Sequence, residues 1–311
     1  KTAQRRNLCS FHSSLAPEQP PESFAASCVA CWVCVLSCLL LACCYVGSLY
    51  VWKGNLPRDH PSVIKRRCVS VLLVAALSPA AVKTWTHWVD VSVLELMGVR
   101  MKGLLPALIL PLLLTVETFT SVPPYNVIMR FIFPDGGSWR LCVRDAVWLR
   151  NQVVAPLTEE LVFRGAMLPM LVPCTGPTAA IFTAPLLFGV ETSALAHTVE
   201  IQNDFRQVSL NTGANSTEAF FLYTSVFGAF TSFIFMRTGH VAGPVLCHSF
   251  CNSRGLPDIG AALQHPQHSL LLFLYVLGVV MFLVLLFPLT DPFFYGAIPV
   301  CSLAPPSASV C

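Results

Sequence analysis

From Ser23 to Trp52 the chain runs without a charged residue, and a stretch of that length and apolarity is long enough to span a bilayer. Inside hydrocarbon such a segment must satisfy its own backbone hydrogen bonds, which a helix does and an open strand does not. The pattern recurs near Cys68–Val82, and again over Gly103–Val116, Val153–Val172, Pro177–Val190, Ala219–Met236, His240–Phe250 and Ser269–Thr290. The expected fold class is therefore all-α, a multi-pass membrane protein of about eight transmembrane helices. Composition agrees. Of 311 residues 55% are hydrophobic and 11% charged, where a soluble chain carries about a quarter. A net charge of +3, scattered among apolar runs, excludes nucleic acid as a partner and leaves the lipid bilayer as the first one.

Residues 1–22 read as a disordered arm, with Gln19, Pro20 and Pro21 at its end. Residues 23–295 form the membrane domain and 296–311 a C-terminal tail. The first apolar run lacks the layout of a cleaved signal peptide and is expected to remain as a span. After it comes a basic loop with Lys53, Arg58, Lys65, Arg66 and Arg67, a candidate cytosolic segment, although Lys1, Arg5 and Arg6 on the other side oppose that orientation. Cys28, Cys31, Cys34 and Cys38 have a spacing that can hold an iron–sulfur cluster. Steps of three, three and four also lay four thiols along one stripe of a membrane helix, and that is the expected reading.

The informative residues are ionisable ones inside apolar runs. Glu159, Glu160 and Arg164 sit where a span should pass, and a charge at that depth costs roughly 2.5–3.5 kcal/mol on insertion scales. One account is structural: Thr158 caps a helix, its dipole favours both carboxylates, and Glu160 pairs with Arg164 four residues on. It leaves Glu159, on another face, without a partner. The other account is catalytic. His248 and Asn252, also four apart, share a helix face and can both donate hydrogen bonds, as an oxyanion-stabilising couple does. His197 is a third candidate, able to share a water with Glu159 in general base chemistry. No His-Glu-x-x-His occurs, and neither a metal nor another cofactor is expected. Cys247 and Cys251 flank His248, but a cysteine nucleophile would need a base partner that the sequence does not identify.

Leu149–Arg164 and Arg237–Asn252, together with Arg58-Asp59-His60-Pro61 and Pro288-Leu289-Thr290-Asp291-Pro292, resemble the type II CAAX prenyl endopeptidases of the wider CPBP (Abi) intramembrane protease family. The resemblance runs from about Ser23 onward. It implies an eight-helix fold around an intramembrane catalytic cavity, residence in the endoplasmic reticulum membrane, and removal of the last three residues from prenylated CAAX termini of Ras-like proteins. The family's Glu-Glu-x-x-x-Arg motif falls on Glu159, Glu160 and Arg164, implying that Glu159 activates water while Glu160 and Arg164 support it. Its His-x-x-x-Asn motif falls on His248 and Asn252, implying the oxyanion-stabilising role. Its Phe-x-x-x-His motif begins at Phe188 but finds Thr192 where histidine is expected, and the local histidine is His197. On an unbroken helix His197 lies roughly 140° around and about 7.5 Å beyond that place. The departure leaves a second expectation beside the protease: a catalytically impaired homologue that binds or scaffolds prenylated tails.

Overall fold

The computed structural model describes residues 21–52, 56–87, 89–119, 142–196, 216–254 and 263–304. The arm before residue 21, His197 and the last residues of the tail lie outside them. Every regular element among the described residues is helical. In chain order they are α1 (Pro21–Ser48), α2 (Pro61–Thr86), α3 (Val93–Leu96), α4 (Leu104–Phe119), α5 (Ala146–Leu149), α6 (Ala155–Glu160), α7 (Met167–Thr175), α8 (Pro177–Ala196), α9 (Ser216–Thr238), α10 (Ala242–Arg254) and α11 (His268–Leu289). Two short 3-10 turns, Pro292–Phe294 and Pro299–Leu303, follow. Helices α1, α2 and α11 are each long and apolar enough to cross a bilayer. The all-α membrane architecture expected from the apolar runs is the observed one.

Helix α7 is the central strut. Met167, Leu168, Met170, Leu171 and Val172 are all buried, as suits a helix apolar on every side and surrounded by others. Around it pack Cys34, Cys38, Ala42 and Tyr45 of α1, Val71 and Ala75 of α2, Ala180 and Ile181 of α8, and Phe235 and Met236 of α9. Val300 and Leu303 of the last turn join the same core, so the chain beyond α11 is bound into the body of the protein. The buried stripe of α1 carries the cysteines as helix periodicity requires, and the Cys34 thiol donates to the Met170 carbonyl at 3.0 Å. The opposite face of α1 exposes Trp32, Leu36 and Leu40, a surface suited to lipid. Helix α11 has no buried residue at all and is likewise apolar all round.

Helix α2 begins earlier than its apolar run. The His60 side chain caps it by accepting from the Ser62 N–H, and Pro61 occupies the first turn, where its missing N–H does no harm. The basic residues then fit inside the helix because long side chains reach back over aromatic faces: Arg66 lies over Trp52 and Arg67 over Tyr50. The prolines between 169 and 185 break the chain only once. Gly176, at φ 78°, ends α7 and Pro177 opens α8, whereas Pro173 and Pro185 are accommodated inside helices.

The position of α10 is set by close backbone approaches. Gly98 has φ 76°, and its carbonyl accepts from the Val241 N–H at 3.1 Å just before α10 starts. A Cβ at Gly98 would stand 2.7 Å from the Val241 nitrogen, closer than any side chain tolerates. Two residues further, a Cβ on Gly243 would stand 2.8 Å from the Ala107 carbonyl oxygen of α4. Arg100 completes the support by donating to the carbonyls of Thr238, Tyr295 and Ala297, and His240 donates through Nε2 to the Lys102 carbonyl at 2.7 Å. Gly98→Ala is therefore expected to destabilise the fold by about 1–3 kcal/mol through left-handed strain alone, with more from the clash. Thermal unfolding in detergent reads this directly, and an unchanged midpoint would show that Gly98 does not hold α10 in place.

Candidate active site

Between Ala146 and Thr175 the backbone stays helical, yet it is not a regular α-helix. Arg150–Val154 and Leu161–Ala166 are π turns, each wider than the α turns around it, and α6 with Glu159 and Glu160 lies between them. Such turns cluster at functional sites because they redirect side chains without ending a helix. Asp145 starts the segment as an N-cap, accepting from the Val147 N–H at 2.9 Å. Thr158 is consequently not a cap, contrary to the structural account of its motif. The helix continues upstream of it, and its hydroxyl donates to the Val154 carbonyl at 2.7 Å. The Tyr45 hydroxyl of α1 then donates to Thr158 Oγ1, also at 2.7 Å, and the Tyr45 ring meets Phe163 edge-on.

Glu160 is fully buried and holds the centre. Its Oε2 pairs with Arg164 Nε at 3.2 Å and its Oε1 with His248 Nδ1 at 2.9 Å. A carboxylate can only accept, so Nδ1 carries the proton and the other ring nitrogen is turned away from Glu160. That nitrogen, Nε2, lies 3.8 Å from Glu159 Oε2, and the Glu159 side chain keeps 24% of its surface open. Two carboxylates, one guanidinium and one imidazole thus meet in one cluster, three of them on one helical segment and His248 on α10. Phe227 of α9 closes one side, edge-on to the His248 ring with centroids 5.4 Å apart. It also stacks on Tyr223 and tilts against Phe230, which meets Phe282 of α11.

Asn252 stands one turn along α10 from His248 and faces the same helical segment. Its Nδ2 donates to the Asn151 carbonyl at 2.9 Å, in the first π turn, where the widened backbone exposes that oxygen. Ser249 donates to Gln152 Oε1 beside it. The structure therefore brings Glu159, Glu160, Arg164 and His248 into one cluster and holds Asn252 next to it. His197 lies outside the described residues. Several supporting residues escaped the sequence reading: Tyr45, Thr158 in its actual role, Gln152, Ser249, and the Asp59–Arg150 ion pair at 2.9 Å. The available signal was the run Arg150-Asn151-Gln152, three polar side chains entering an apolar stretch. Among the described residues no three of His, Cys, Asp and Glu stand together as a metal-binding group.

The family described as "Type II CAAX prenyl endopeptidase Rce1-like" matches residues 145–254, from the N-cap of α5 to the end of α10. CAAX prenyl protease 2 of Homo sapiens is 53% identical over 303 residues, covering 92% of this chain and 91% of its own. The chain belongs to the type II CAAX prenyl endopeptidase family. The rat protein of the same name is 49% identical over 304 residues with equal coverage, and that of Arabidopsis thaliana 32% identical over 296 residues, 84% of this chain and 91% of its own. No solved structure matches the chain. For a CAAX endopeptidase, the matched block is informative in extent: it contains each described member of the polar cluster and both π turns.

Proposed function

We infer that the chain is an intramembrane endopeptidase that removes the C-terminal tripeptide from prenylated CAAX proteins, with Glu159 as the base that activates water. The observation that carries the mechanism is the 3.8 Å between Glu159 Oε2 and His248 Nε2. That separation is too long for a hydrogen bond and too short to hold a water on the line between them. A water bonded to both sits to one side, at the apex of a triangle, and its remaining lone pair is free to attack.

In this reading Glu159 takes the water proton as the oxygen adds to the carbonyl of the prenylated cysteine itself. His248 enters as imidazolium, donating through Nδ1 to Glu160 and through Nε2 toward the new oxyanion. The four charges of Glu159, Glu160, Arg164 and His248 then cancel, which is what burial of a charged cluster requires. Asn252 has a second amide N–H besides the one spent on Asn151, and it serves as the other oxyanion donor. The tetrahedral intermediate collapses with the proton passing from Glu159 to the leaving amine. His197, the local histidine five residues past the motif position held by Thr192, assists Glu159. The row of Phe227, Tyr223 and Phe230 leading away from His248 offers an apolar wall for the prenyl chain, which enters from the lipid side. Ras-like proteins in the endoplasmic reticulum membrane are the natural substrates under this reading, and about eight crossings enclose the site.

The test uses the full-length protein in proteoliposomes with a farnesylated CAAX peptide and chromatographic detection of the released tripeptide. Cleavage of the bond directly after the farnesyl-cysteine carbonyl, releasing the tripeptide, is expected from the wild type, and a fall of about a hundredfold from His197→Ala. Intact peptide in a folded preparation would replace the protease reading with that of a tail-binding homologue. An unchanged rate in His197→Ala would take that histidine out of the mechanism.

A further inference from the structure

Pro156 stands where helices seldom admit a proline. The chain is helical without a break from Ala146 to Thr175, and Pro156 is buried well inside that stretch. A proline there has no N–H for the hydrogen-bond ladder, and its ring crowds the carbonyl one turn back. The register just before it decides which carbonyl goes without. In the first π turn the Ala155 N–H bonds to the Arg150 carbonyl, five residues back. In that register the next N–H belongs to the Asn151 carbonyl, but the next residue is Pro156. Asn151 is therefore passed over by both of its helical donors: Ala155 is engaged with Arg150, and Pro156 has nothing to give.

A backbone carbonyl without its helical donor needs a partner from elsewhere. That partner comes from α10, where Asn252 Nδ2 donates to the Asn151 oxygen at 2.9 Å. Three residues before it, Ser249 donates to Gln152 Oε1 at 2.9 Å, so α10 and the π turn are joined at two adjacent points. An amide group is planar, so an Asn252 side chain held through one N–H has the direction of its other N–H fixed as well. His248 lies one turn back along the same helix, with Nδ1 on Glu160 and Nε2 toward Glu159. The segment opposite α10 thus holds both side chains, His248 by a carboxylate and Asn252 by a backbone carbonyl that Pro156 leaves open.

We propose that Pro156 is a positioning residue for Asn252: by withholding an N–H it keeps the Asn151 carbonyl open to the Asn252 amide, and so aims the second amide N–H at the developing oxyanion. The proposal rests on the endopeptidase reading for what that second N–H binds. The link from Pro156 through Asn151 to Asn252 involves no substrate and is measurable without one. Alanine at position 156 restores the N–H and is the strongest helix former, so stability and activity are expected to move in opposite directions. A proline that served only to pack would move them together.

The test takes the full-length protein in nanodiscs as wild type, Pro156→Ala, Asn252→Ala and the double variant, and measures thermal unfolding and cleavage of a farnesylated CAAX peptide on each. Pro156→Ala is expected to lower kcat about ten- to a hundredfold with KM unchanged, less than outright loss of an oxyanion donor because the amide is loosened and not removed. Its unfolding midpoint stays at or above that of the wild type. Asn252→Ala lowers the midpoint of the wild type, where it strips the Asn151 carbonyl, but not that of Pro156→Ala, where the new N–H serves it. The double variant cleaves no more slowly than Asn252→Ala alone. A further variant carries lactic acid, the hydroxy-acid counterpart of alanine, at position 156, introduced by a suppressor tRNA in cell-free synthesis. Its ester has neither ring nor N–H, and kcat is expected to return toward the wild-type value. An ester variant as slow as Pro156→Ala would overturn the proposal, because the ring and not the missing N–H would then matter. A wild-type rate or a midpoint well below the wild type in Pro156→Ala would also overturn it, as would independent effects of Pro156→Ala and Asn252→Ala on rate and midpoint. Coupled midpoints without any cleavage by the wild type would sustain the link between Pro156 and Asn252 and sink the catalytic reading, which keeps the two separable.

Discussion

Glu159→Gln is expected to lower kcat for a farnesylated CAAX peptide by about a hundred- to ten-thousandfold, the contribution of a positioned general base. The amide keeps the size and shape of the carboxylate and can still hold a water, but it cannot accept the proton that attack releases. Binding of the peptide should change little, because Glu159 is not needed to seat the prenyl chain. Single-turnover cleavage with a parallel binding measurement separates these effects. A rate near that of the wild type would remove Glu159 from the base role and shift attention to His248, the group nearest to it. The substitution is informative because Glu159 is the more open of the two carboxylates, so its loss should not unfold the protein.

Glu160→Ala is expected to act the other way, on the fold first and on the rate as a consequence. It strands Arg164, whose side chain is only 6% exposed, and removes the acceptor that fixes the His248 ring. Breaking one side of a buried pair costs about 3–5 kcal/mol. Denaturation in detergent should show that loss, with activity falling beyond detection. The double variant Glu160→Leu/Arg164→Met should recover much of the stability, since two apolar side chains of similar size replace the pair and no buried charge is left alone. It should remain inactive, because His248 is still unheld. A double variant as unstable as the single would mean that the pair contributes by more than mutual neutralisation.

The legible parts of the molecule were those governed by local periodicity. The apolar runs marked the helices, and the steps between Cys31, Cys34 and Cys38 correctly laid the buried members on one stripe. The Glu160–Arg164 pair followed from four-residue spacing and is present at 3.2 Å. What was not legible came from departures from that spacing or from contacts distant in sequence. Thr158 looked like a cap because Ser and Thr before acidic residues usually are, and nothing in the residue types announces a π turn upstream. The partnership of His248 with Glu160 joins residues far apart in the chain, so residue-to-residue spacing could not disclose it. Gly98 and Gly243 were unremarked for the same reason: the backbone that each must admit belongs to another helix. The catalytic roles came from motif resemblance, while the geometry supplied which group touches which.

The arrangement of Glu160 and Arg164 also bears on how the chain enters a membrane at all. The two lie one turn apart on a single helical segment, so their pairing needs no other part of the protein. A nascent segment can therefore leave the translocation machinery with its two most deeply buried charges already joined. His248, on a helix synthesised later, meets a carboxylate that is already anchored. The order of synthesis thus delivers Glu159 with the joined Glu160–Arg164 pair first, and His248 only when the remaining helices close around them.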